Sequence, residues 1–364
     1  MKLKKIAIFK PFNARHNNAF KTGQYELFKS INELPEYDIT FFIDDESVKF
    51  KGVRNIYIKK RKIATFYVRL LRKFFGLHYA KIPYYGNLNF NDFDIVITEG
   101  IHYVFLKYFF DYRGKLILND SITSKKMIKN LNSKLVNKIF KNSTSVIVNE
   151  KIKKLYLLNS IFLNTKTIGH YVQTDKIEFV KRYNHNFKIL SVGRLVEEKG
   201  FIFIFSAIKK LVEKYPKIQL DIYGDGPLEI FLEKFIKVNK LNENIFLRGE
   251  ISYEDLLRRL KNYDLFVSHS IELENVAEAF HMGNMEAMSS GMPVITTNCG
   301  GIPFVVGDSA LICDQRSISQ IVQYIDKVFS DSELFNILSV NGRKFVEKNF
   351  SKHVIIKKWL DVLD

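Results

Sequence analysis

The sequence has little cysteine and no long apolar run. Its two cysteines, Cys299 and Cys313, are too few for a disulfide framework and lack the spacing of metal ligands. No stretch of about 18 uncharged apolar residues occurs, so a transmembrane helix is not expected. Proline is scarce, with 7 residues, while 46% of the chain is hydrophobic, which excludes a disordered protein.

The first ten residues are basic, but they do not resemble a secretion signal. Their apolar stretch ends at Lys10 and Pro11, which predicts a short β-strand rather than a signal peptide. With few cysteines and no predicted membrane span, a cytoplasmic location is expected.

Acidic residues are also scarce in the first half of the chain. Residues 1–170 hold 31 Lys and Arg against 13 Asp and Glu, a net charge of +18, whereas residues 171–364 hold 25 against 26. The first half therefore accounts for the whole net charge of +17, and the second half is close to neutral. Such asymmetry predicts an anionic partner for that half: a membrane surface, a nucleic acid or an acidic polymer.

Short β-branched runs alternate with helical patterns along the chain. This alternation is typical of βαβ units and a parallel sheet, and 364 residues exceed the size of a single ordinary core. The sequence therefore predicts two doubly wound α/β domains in tandem. Their expected bounds are 1–173 for the first domain, 174–186 for a polar linker, 187–350 for the second domain and 351–364 for a C-terminal helix that crosses back to the first.

A loop with two cations follows the first predicted strand of the second domain. Gly193 allows a tight turn, and Arg194 and Lys199 stand before the next helix. Two cations beside free backbone N–H groups form an anion site suited to a diphosphate. Equally, this could be an ordinary loop with solvated basic side chains.

Two glutamates, Glu278 and Glu286, stand eight positions apart before and within a predicted helix. A carboxylate can accept two hydrogen bonds from the vicinal hydroxyls of a sugar. The alternative is an acid that complements the dipole at a helix N-terminus. Downstream, a strand runs into Gly300-Gly301, where backbone can approach a ligand closely.

Together and in this order, these groups resemble the family 4 retaining glycosyltransferases. The resemblance covers residues from about 188 to 364 and rests on VGRLVEEKG, IYGDGP, FLRGEIS with YEDL, EAFHMGNME, EAMSSGMPVITT, CGGIP and FSKHVIIKKW. The first half matches mainly by architecture. The family implies an α/β chain of GT-B fold, with two Rossmann-like doubly wound domains facing a central cleft: an N-terminal acceptor domain and a C-terminal nucleotide-sugar domain.

The resemblance also implies roles for particular residues. Arg194 and Lys199 would hold the donor diphosphate and stabilise charge on the leaving group, as an oxyanion hole does. Glu278 would hold the donor sugar and Glu286 the ribose. The other implied donor-binding residues are Gly193, Arg248, Gly249, Ile251, Phe280, His281, Met282 and Gly283. No metal and no cofactor are implied, because Arg, Lys and helix dipoles replace a divalent ion.

The chain departs from the family at several positions. Ala279 stands where Gly is usual, His281 replaces a small residue or Pro, Phe304 replaces Glu, and Asn119-Asp120 replaces a His-Asp pair. Two further residues are candidates in the first domain: Gly23 for an acceptor or phosphate loop, and His102 near the donor sugar.

Residues 59–81 combine cations with an aromatic face at helical spacing. Such a helix can lie on an anionic membrane, or its apolar face can pack on the first domain while the cations are solvated. The cations of this proposed membrane-surface helix are Lys59, Lys60, Arg61, Lys62, Arg69, Arg72 and Lys73.

The sequence therefore predicts a retaining, metal-independent glycosyltransferase that uses a nucleotide-diphosphate sugar, with a UDP-sugar favoured over a GDP-sugar. Its acceptor would be a glycan, glycolipid or lipid-linked molecule in the synthesis of cell-surface polysaccharide or glycoconjugate. It would be cytoplasmic and peripheral on the inner membrane face, with no specific nucleic-acid partner. The alternative is a non-catalytic basic protein of GT-B fold that binds membrane or nucleic acid.

Overall fold

The computed structural model describes residues 3–10, 25–43, 50–58, 88–99, 109, 112–120, 133–181, 187–274 and 277–364. The chain divides into two units. Unit 1 comprises Met1–Tyr171 and Ile356–Asp364, and unit 2 comprises Val172–Ile355.

The described part of unit 1 holds a sheet of seven parallel strands in the order β3-β2-β1-β4-β5-β6-β7. Three helices, α1 (Tyr25–Asn32), α2 (Ser133–Ile139) and α3 (Glu150–Leu158), lie between the strands in the sequence. The strands are β1 (Lys4–Lys10), β2 (Tyr37–Ile43), β3 (Arg54–Tyr57), β4 (Ile95–Glu99), β5 (Lys115–Asp120), β6 (Thr144–Ile147) and β7 (Asn164–Thr167).

Unit 2 holds a sheet of six parallel strands in its described residues, in the order β10-β9-β8-β11-β12-β13. The strands are β8 (Lys188–Val192), β9 (Gln219–Tyr223), β10 (Ile245–Leu247), β11 (Leu265–Val267), β12 (Val294–Thr297) and β13 (Leu311–Cys313). The helices are α4 (Phe201–Leu211), α5 (Glu229–Val238), α6 (Tyr253–Arg259), α7 (Met282–Ser289), α8 (Ile302–Val306), α9 (Ile318–Ser330) and α10 (Ser332–Phe350).

The parallel pairing of the strands explains why the central strands are apolar. Both faces of a parallel sheet are covered by helices, so central strands are continuous hydrophobic runs. In unit 2, Ile189, Leu220 and Leu265 are fully buried on three adjacent strands, and α4 buries Ile204, Phe205 and Ile208 against this core. Both sheets have the doubly wound Rossmann order. The predicted fold class is confirmed.

The last helix, α11 (Lys352–Leu363), begins in unit 2 and ends in unit 1. In unit 1 the Trp359 ring packs edge-on against Phe28, with centroids 5.0 Å apart. Lys4 Nζ lies 2.9 Å from Asp364 Oδ1. These contacts attach residues 356–364 to helix α1 and to the first residue of β1.

Residues 174–181, the described part of the predicted linker, are attached to unit 2. Arg343 on α10 donates hydrogen bonds to the carbonyl oxygens of Ile177 (2.9 Å) and Thr174 (3.1 Å). Ile177 is buried, and the Val180 amide donates to the Ser290 carbonyl at 3.1 Å. One guanidinium thus anchors this segment to the helices of unit 2.

Replacement of Gly200 tests how tightly the segment before α4 is packed. Gly200 has φ of +61°, and a Cβ atom there would lie 2.1 Å from the His269 carbonyl oxygen. We expect Gly200→Ala to lower the free energy of unfolding by about 2–4 kcal/mol, since strain and overlap add. Urea denaturation measures this change.

Gly249 provides the matched control, because it also has positive φ (+70°) but no atom within 4 Å of a Cβ atom. Gly249→Ala should cost only about 1 kcal/mol, the strain alone. Equal losses in the two variants would contradict the close packing of Gly200.

Candidate functional site

The sheet of unit 2 has one topological switch point, between β8 and β11. From β8 the chain continues outward to β9 and β10, and from β11 it continues outward the other way to β12 and β13. In open α/β sheets, ligands bind in the crevice at the carboxyl ends of the two strands at this point. The segments that follow these strands are residues 193–200 and residues 268–282.

The segment after β8 is held by backbone hydrogen bonds to the turn after β9. The Gly193 amide donates to Tyr223 at 3.0 Å, and the Leu195 amide donates to Asp225 at 2.6 Å. Between them, the side chain of Arg194 is 72% exposed, and its guanidinium lies 3.3 Å from Glu198. Arg194 is therefore accessible to an anion at the switch point.

Lys199 forms an ion pair with Glu278, which joins two motifs that are 79 positions apart in the sequence. Each side chain is only 18% exposed. Ser270 Oγ, which follows β11, donates to the same carboxylate oxygen at 3.2 Å. Burial has the largest single effect on the pKa of Glu278 and would raise it. The charge of Lys199, the nearby His281 and the hydrogen bonds from Lys199 and Ser270 together outweigh burial, so the pKa of Glu278 is lowered.

The backbone of Glu278 is fixed by the Gly300-Gly301 turn. The Gly301 amide donates to the Glu278 carbonyl at 2.7 Å, and a Cβ atom on Gly300 would lie 1.9 Å from that oxygen. The sequence suggested that this glycine pair lets backbone approach a ligand. The structure shows that the close approach at Gly300 is to Glu278 itself.

His281 caps the N-terminus of α7. Its Nδ1 atom accepts the Asn284 amide hydrogen at 3.3 Å, and the residue is 5% exposed. Burial and the charge of Lys199 lower the pKa of His281 to about 4, against the opposing effect of Glu278. The neutral ring therefore carries its hydrogen on Nε2.

The remaining residues around the start of α7 are packed. Phe280 is buried and contacts Phe350 edge-on, with centroids 5.6 Å apart. Phe304 contacts the same ring, with centroids 5.7 Å apart. Met282 is the first residue of α7. A Cβ atom on Gly283 would lie 3.0 Å from the Phe266 ring.

Glu286 lies on α7, one to two turns after His281, and is 5% exposed. Burial raises the pKa of Glu286 to about 7, and a hydrogen bond from Tyr253 on α6 opposes part of this rise. A buried carboxyl group with so little compensation is costly unless a ligand satisfies it. This makes Glu286 a strong candidate for a ligand contact.

Arg248 and its neighbours lie beyond β10. The Arg248 guanidinium pairs with Asp221 Oδ1 at 2.9 Å and stacks 4.5 Å above the Phe246 ring centroid. Asp221 also accepts from Tyr263 at 2.7 Å. The Gly249 carbonyl accepts from the Gly224 amide at 2.8 Å, and Ile251 is half-buried. Arg248 is therefore an anchor for this loop.

The proposed residues of unit 1 lie outside the described residues. These are Gly23, His102 and the cations Lys59, Lys60, Arg61, Lys62, Arg69, Arg72 and Lys73. Asn119 and Asp120, which replace the family's His-Asp pair, are buried at the end of β5.

Sequence reasoning missed the residues that support the charged groups. Ser270, Asp221 and Tyr263 were not singled out, and Tyr253 appeared only inside a motif. Ser270 could have been found from its position just after a predicted strand at the switch point. Asp221 and Tyr263 carry no such signal, because their pairing joins residues 42 positions apart.

Comparison with known sequences finds similarities to glycosyltransferases in the C-terminal half of the chain. Residues 172–345 match the family Glycosyl transferases group 1. One component of the Homo sapiens phosphatidylinositol N-acetylglucosaminyltransferase is 31% identical over 146 residues, 40% of this chain and 29% of that protein. The Staphylococcus aureus capsular polysaccharide biosynthesis glycosyltransferase CapM is 30% identical over 190 residues, 50% of this chain and 48% of CapM. These alignments span less than half of either relative.

Solved structures match the whole chain. A glycosyltransferase from Rickettsia africae has a TM-score of 0.78 at 18% identity, covering 100% of this chain and 98% of its own. Anabaena HepE, solved with UDP and glucose, has a TM-score of 0.75 at 13% identity and 99% coverage of both chains. At these identities the likeness shows the fold alone, which is GT-B.

Residues 172–345 of unit 2 are therefore similar to the group 1 glycosyltransferases. None of the described helices combines the length and the hydrophobicity needed to span a bilayer. The described residues also contain no group of three His, Cys, Asp or Glu side chains arranged to hold a metal ion.

The raised pKa of Glu286 gives a prediction for stability. Because the folded-state pKa (about 7) exceeds the reference value of 4.5, the folded protein binds the extra proton between these pH values. Stability from this group is therefore lost as pH rises from 4.5 to 7. Glu286→Gln should raise the free energy of unfolding by up to about 3 kcal/mol at pH 8 and leave it unchanged at pH 4.

Urea denaturation at the two pH values measures the difference. Glu213→Gln, at an exposed glutamate after α4, is the control and should have no effect at either pH. A Glu286→Gln variant as stable as the parent at pH 8 would show that the carboxyl group is not strained.

Proposed function

We propose that this protein transfers a sugar from a nucleotide-diphosphate sugar to a hydroxyl group of a glycan, glycolipid or lipid-linked acceptor. The observation that carries the proposal is the cluster at the switch point of unit 2. There the Lys199–Glu278 pair and the exposed Arg194 belong to the segments that follow β8 and β11, and the buried Glu286 lies on α7, the helix that comes next. These residues offer cations for a diphosphate and carboxylates for hydroxyl groups.

The proposed chemistry breaks the bond between the anomeric carbon and the diphosphate oxygen. Negative charge grows on that oxygen, and Arg194 and Lys199 stabilise it. Each such charged donor contributes roughly 10²–10³ in rate when it is aimed at developing charge in a dry site. The acceptor oxygen bonds to the anomeric carbon and passes its proton to the departing diphosphate oxygen, and the nucleoside diphosphate leaves.

The carboxylates orient the donor in this proposal. Glu278 accepts hydrogen bonds from the donor sugar, and its pairing with Lys199 keeps it ionised for that task. Glu286 accepts the two ribose hydroxyls, and backbone N–H groups of Phe280–Gly283 contact the sugar or distal phosphate. The loop of Arg248, Gly249 and Ile251 contacts the base. Attack on the same face as departure retains the anomeric configuration.

Uracil is the favoured base of the donor nucleotide. HepE, which shares the fold, was solved with UDP and glucose, and the human relative is named an N-acetylglucosaminyltransferase. We therefore favour a UDP-hexose or UDP-N-acetylhexosamine over a GDP-sugar. The capsular relative supports a role in cell-surface polysaccharide or glycoconjugate synthesis. Unit 1 would bind the acceptor.

We further propose that transfer needs no metal ion, because Arg194 and Lys199 supply the positive charge that a divalent ion would give. Catalysis would take place in the cytoplasm, with the protein peripheral on the inner face of the membrane. No specific nucleic-acid partner is proposed.

A thermal-shift screen tests the donor site. UDP, GDP, ADP, CMP and their common sugar conjugates are added to the purified protein. A UDP ligand at 100 times its dissociation constant should stabilise the fold by about 2.7 kcal/mol, and Arg194→Ala should remove most of that shift.

Arg258→Ala is the matched control, because Arg258 is 71% exposed and also pairs with an acid on its own helix, Asp255. This variant should keep the full shift. If no nucleotide stabilises the protein, the donor-site proposal is wrong. The non-catalytic alternative, a basic protein that binds membrane or nucleic acid, would then stand.

Turnover tests the chemistry. With the responsive UDP-sugar and a panel of glycosyl-lipid acceptors, Lys199→Ala should lower kcat about 10²–10³-fold, because the leaving oxygen loses its cation. Proton NMR of the first product should show the anomeric configuration of the donor, and activity should persist in excess EDTA.

Lys214→Ala is the control for Lys199→Ala. Lys214 forms an ion pair with Asp326 near the C-terminal end of α4, away from the switch point. This variant should keep full turnover. An inverted product would contradict same-face attack, and loss of activity in EDTA would contradict metal independence.

A further inference from the structure

Exposed apolar residues on and just after α3 of unit 1 stand among exposed lysines in the sequence. We name this group the Leu158 face. Its apolar members are Leu157 (51% exposed), Leu158 (81%) and Phe162 (64%). Its exposed cations are Lys134, Lys138, Lys141, Lys151, Lys153 and Lys154. Contiguous exposed apolar side chains mark interaction surfaces, whereas scattered ones need no explanation.

Local structure holds these side chains outward. On α3, Ile152 and Tyr156 are buried, so the opposite side of the helix must present Lys153, Lys154, Leu157 and Leu158 to solvent. Lys153 and Leu157, and likewise Lys154 and Leu158, are spaced i to i+4 and are neighbours on the helix. Each leucine therefore has a cation one turn away.

The loop after α3 adds Phe162 to the same face. The chain turns sharply at Ser160, which has φ of +56°, and buries Ile161 completely while Phe162 points out. Asn137 on α2 fixes this loop: its side chain accepts from the Phe162 amide at 2.8 Å and donates to the Ser160 carbonyl at 2.9 Å. Lys134, Lys138 and Lys141 flank Asn137 on α2 and just beyond it.

Charge decides which partner this face fits. Residues 133–167 contain seven lysines and one acidic residue, Glu150. A second exposed apolar cluster on α5 of unit 2, Ile230 (80% exposed), Phe231 (54%) and Val238 (69%), has similar exposure. However, residues 225–243 around it hold three lysines and four acids. Of the two clusters, only the Leu158 face combines exposed apolar side chains with charge almost entirely of one sign.

We propose that the Leu158 face docks on an anionic lipid bilayer. Leu157, Leu158 and Phe162 enter the boundary between headgroups and acyl chains, and the lysines contact the lipid phosphates, a combination typical of interfacial membrane binding. None of the residues of this face belongs to the segment 59–81. The inference does not depend on the proposed sugar transfer, because docking needs no donor.

Vesicle sedimentation of the full chain tests the proposal. Vesicles of phosphatidylcholine with phosphatidylglycerol are compared with vesicles of pure phosphatidylcholine, in about 0.1 M salt without any nucleotide. We expect the parent protein to bind the anionic vesicles and to bind the neutral ones much less. Leu158→Ser with Phe162→Ser should weaken binding at least about tenfold. Lys153→Gln with Lys154→Gln should weaken it about fivefold per lysine.

Ile230→Ser with Val238→Ser is the matched control, because it removes apolar side chains of similar exposure from α5, where lysines and acids are mixed. It should bind as the parent does. Thermal midpoints check that all variants fold, and size-exclusion chromatography checks their oligomeric state.

Three results would overturn the proposal. The first is unchanged binding by the Leu158→Ser/Phe162→Ser variant. If a variant with Gln at positions 59–62 then fails to bind, the lipid contact belongs to those residues and not to the Leu158 face. The second is an equal loss in the α5 control. The third is a change in oligomeric state in the Leu158→Ser/Phe162→Ser variant, which would assign the face to a second copy of this chain. Turnover with a water-soluble acceptor separates these outcomes from failure of the proposed function.

Discussion

The ion pair between Lys199 and Glu278 is the interaction on which the candidate site depends. It joins the segment after β8 to the segment after β11 across the switch point of the unit 2 sheet. Its partners are only 18% exposed, so each charge has lost most of its water and depends on the other. Ser270 and the Gly300-Gly301 turn hold Glu278, while Gly200 holds the chain just after Lys199 against the His269 carbonyl.

Placing charges in this way has consequences for their neighbours. His281 is kept neutral because it is buried next to the Lys199 ammonium, and it can therefore cap α7 as a hydrogen-bond acceptor. Glu286, on the same helix, has only the Tyr253 hydrogen bond to oppose burial, so its pKa rises. A site that holds a carboxyl group under such strain in the free protein is stabilised when a ligand supplies the missing hydrogen bonds.

Much of the fold could be predicted because its central strands are apolar runs bounded by turns. β1, β2, β8, β9 and β12 all appear as such runs, and their alternation with helical periodicity predicts parallel sheets. The strands β3, β7 and β13 were not predicted. β7 has the polar sequence NTKT and β3 the sequence RNIY at opposite sheet edges, and β13 is a three-residue edge strand. Edge strands pair on one side only, so the sequences of β3 and β7 are little constrained by burial, whereas β13 is apolar but too short to give a pattern.

The sequence by itself indicates the kind of chemistry. It places cations at 194 and 199, glutamates at 278 and 286, and glycines beside them in an order that resembles a known family. How these groups act on one another depends on the folded chain. Folding paired Lys199 with Glu278, turned Gly300 towards the Glu278 backbone and attached Arg248 to Asp221. Each of these contacts joins segments that are far apart in the sequence. Local sequence cannot bring such segments together, because the strand order sets which loops meet.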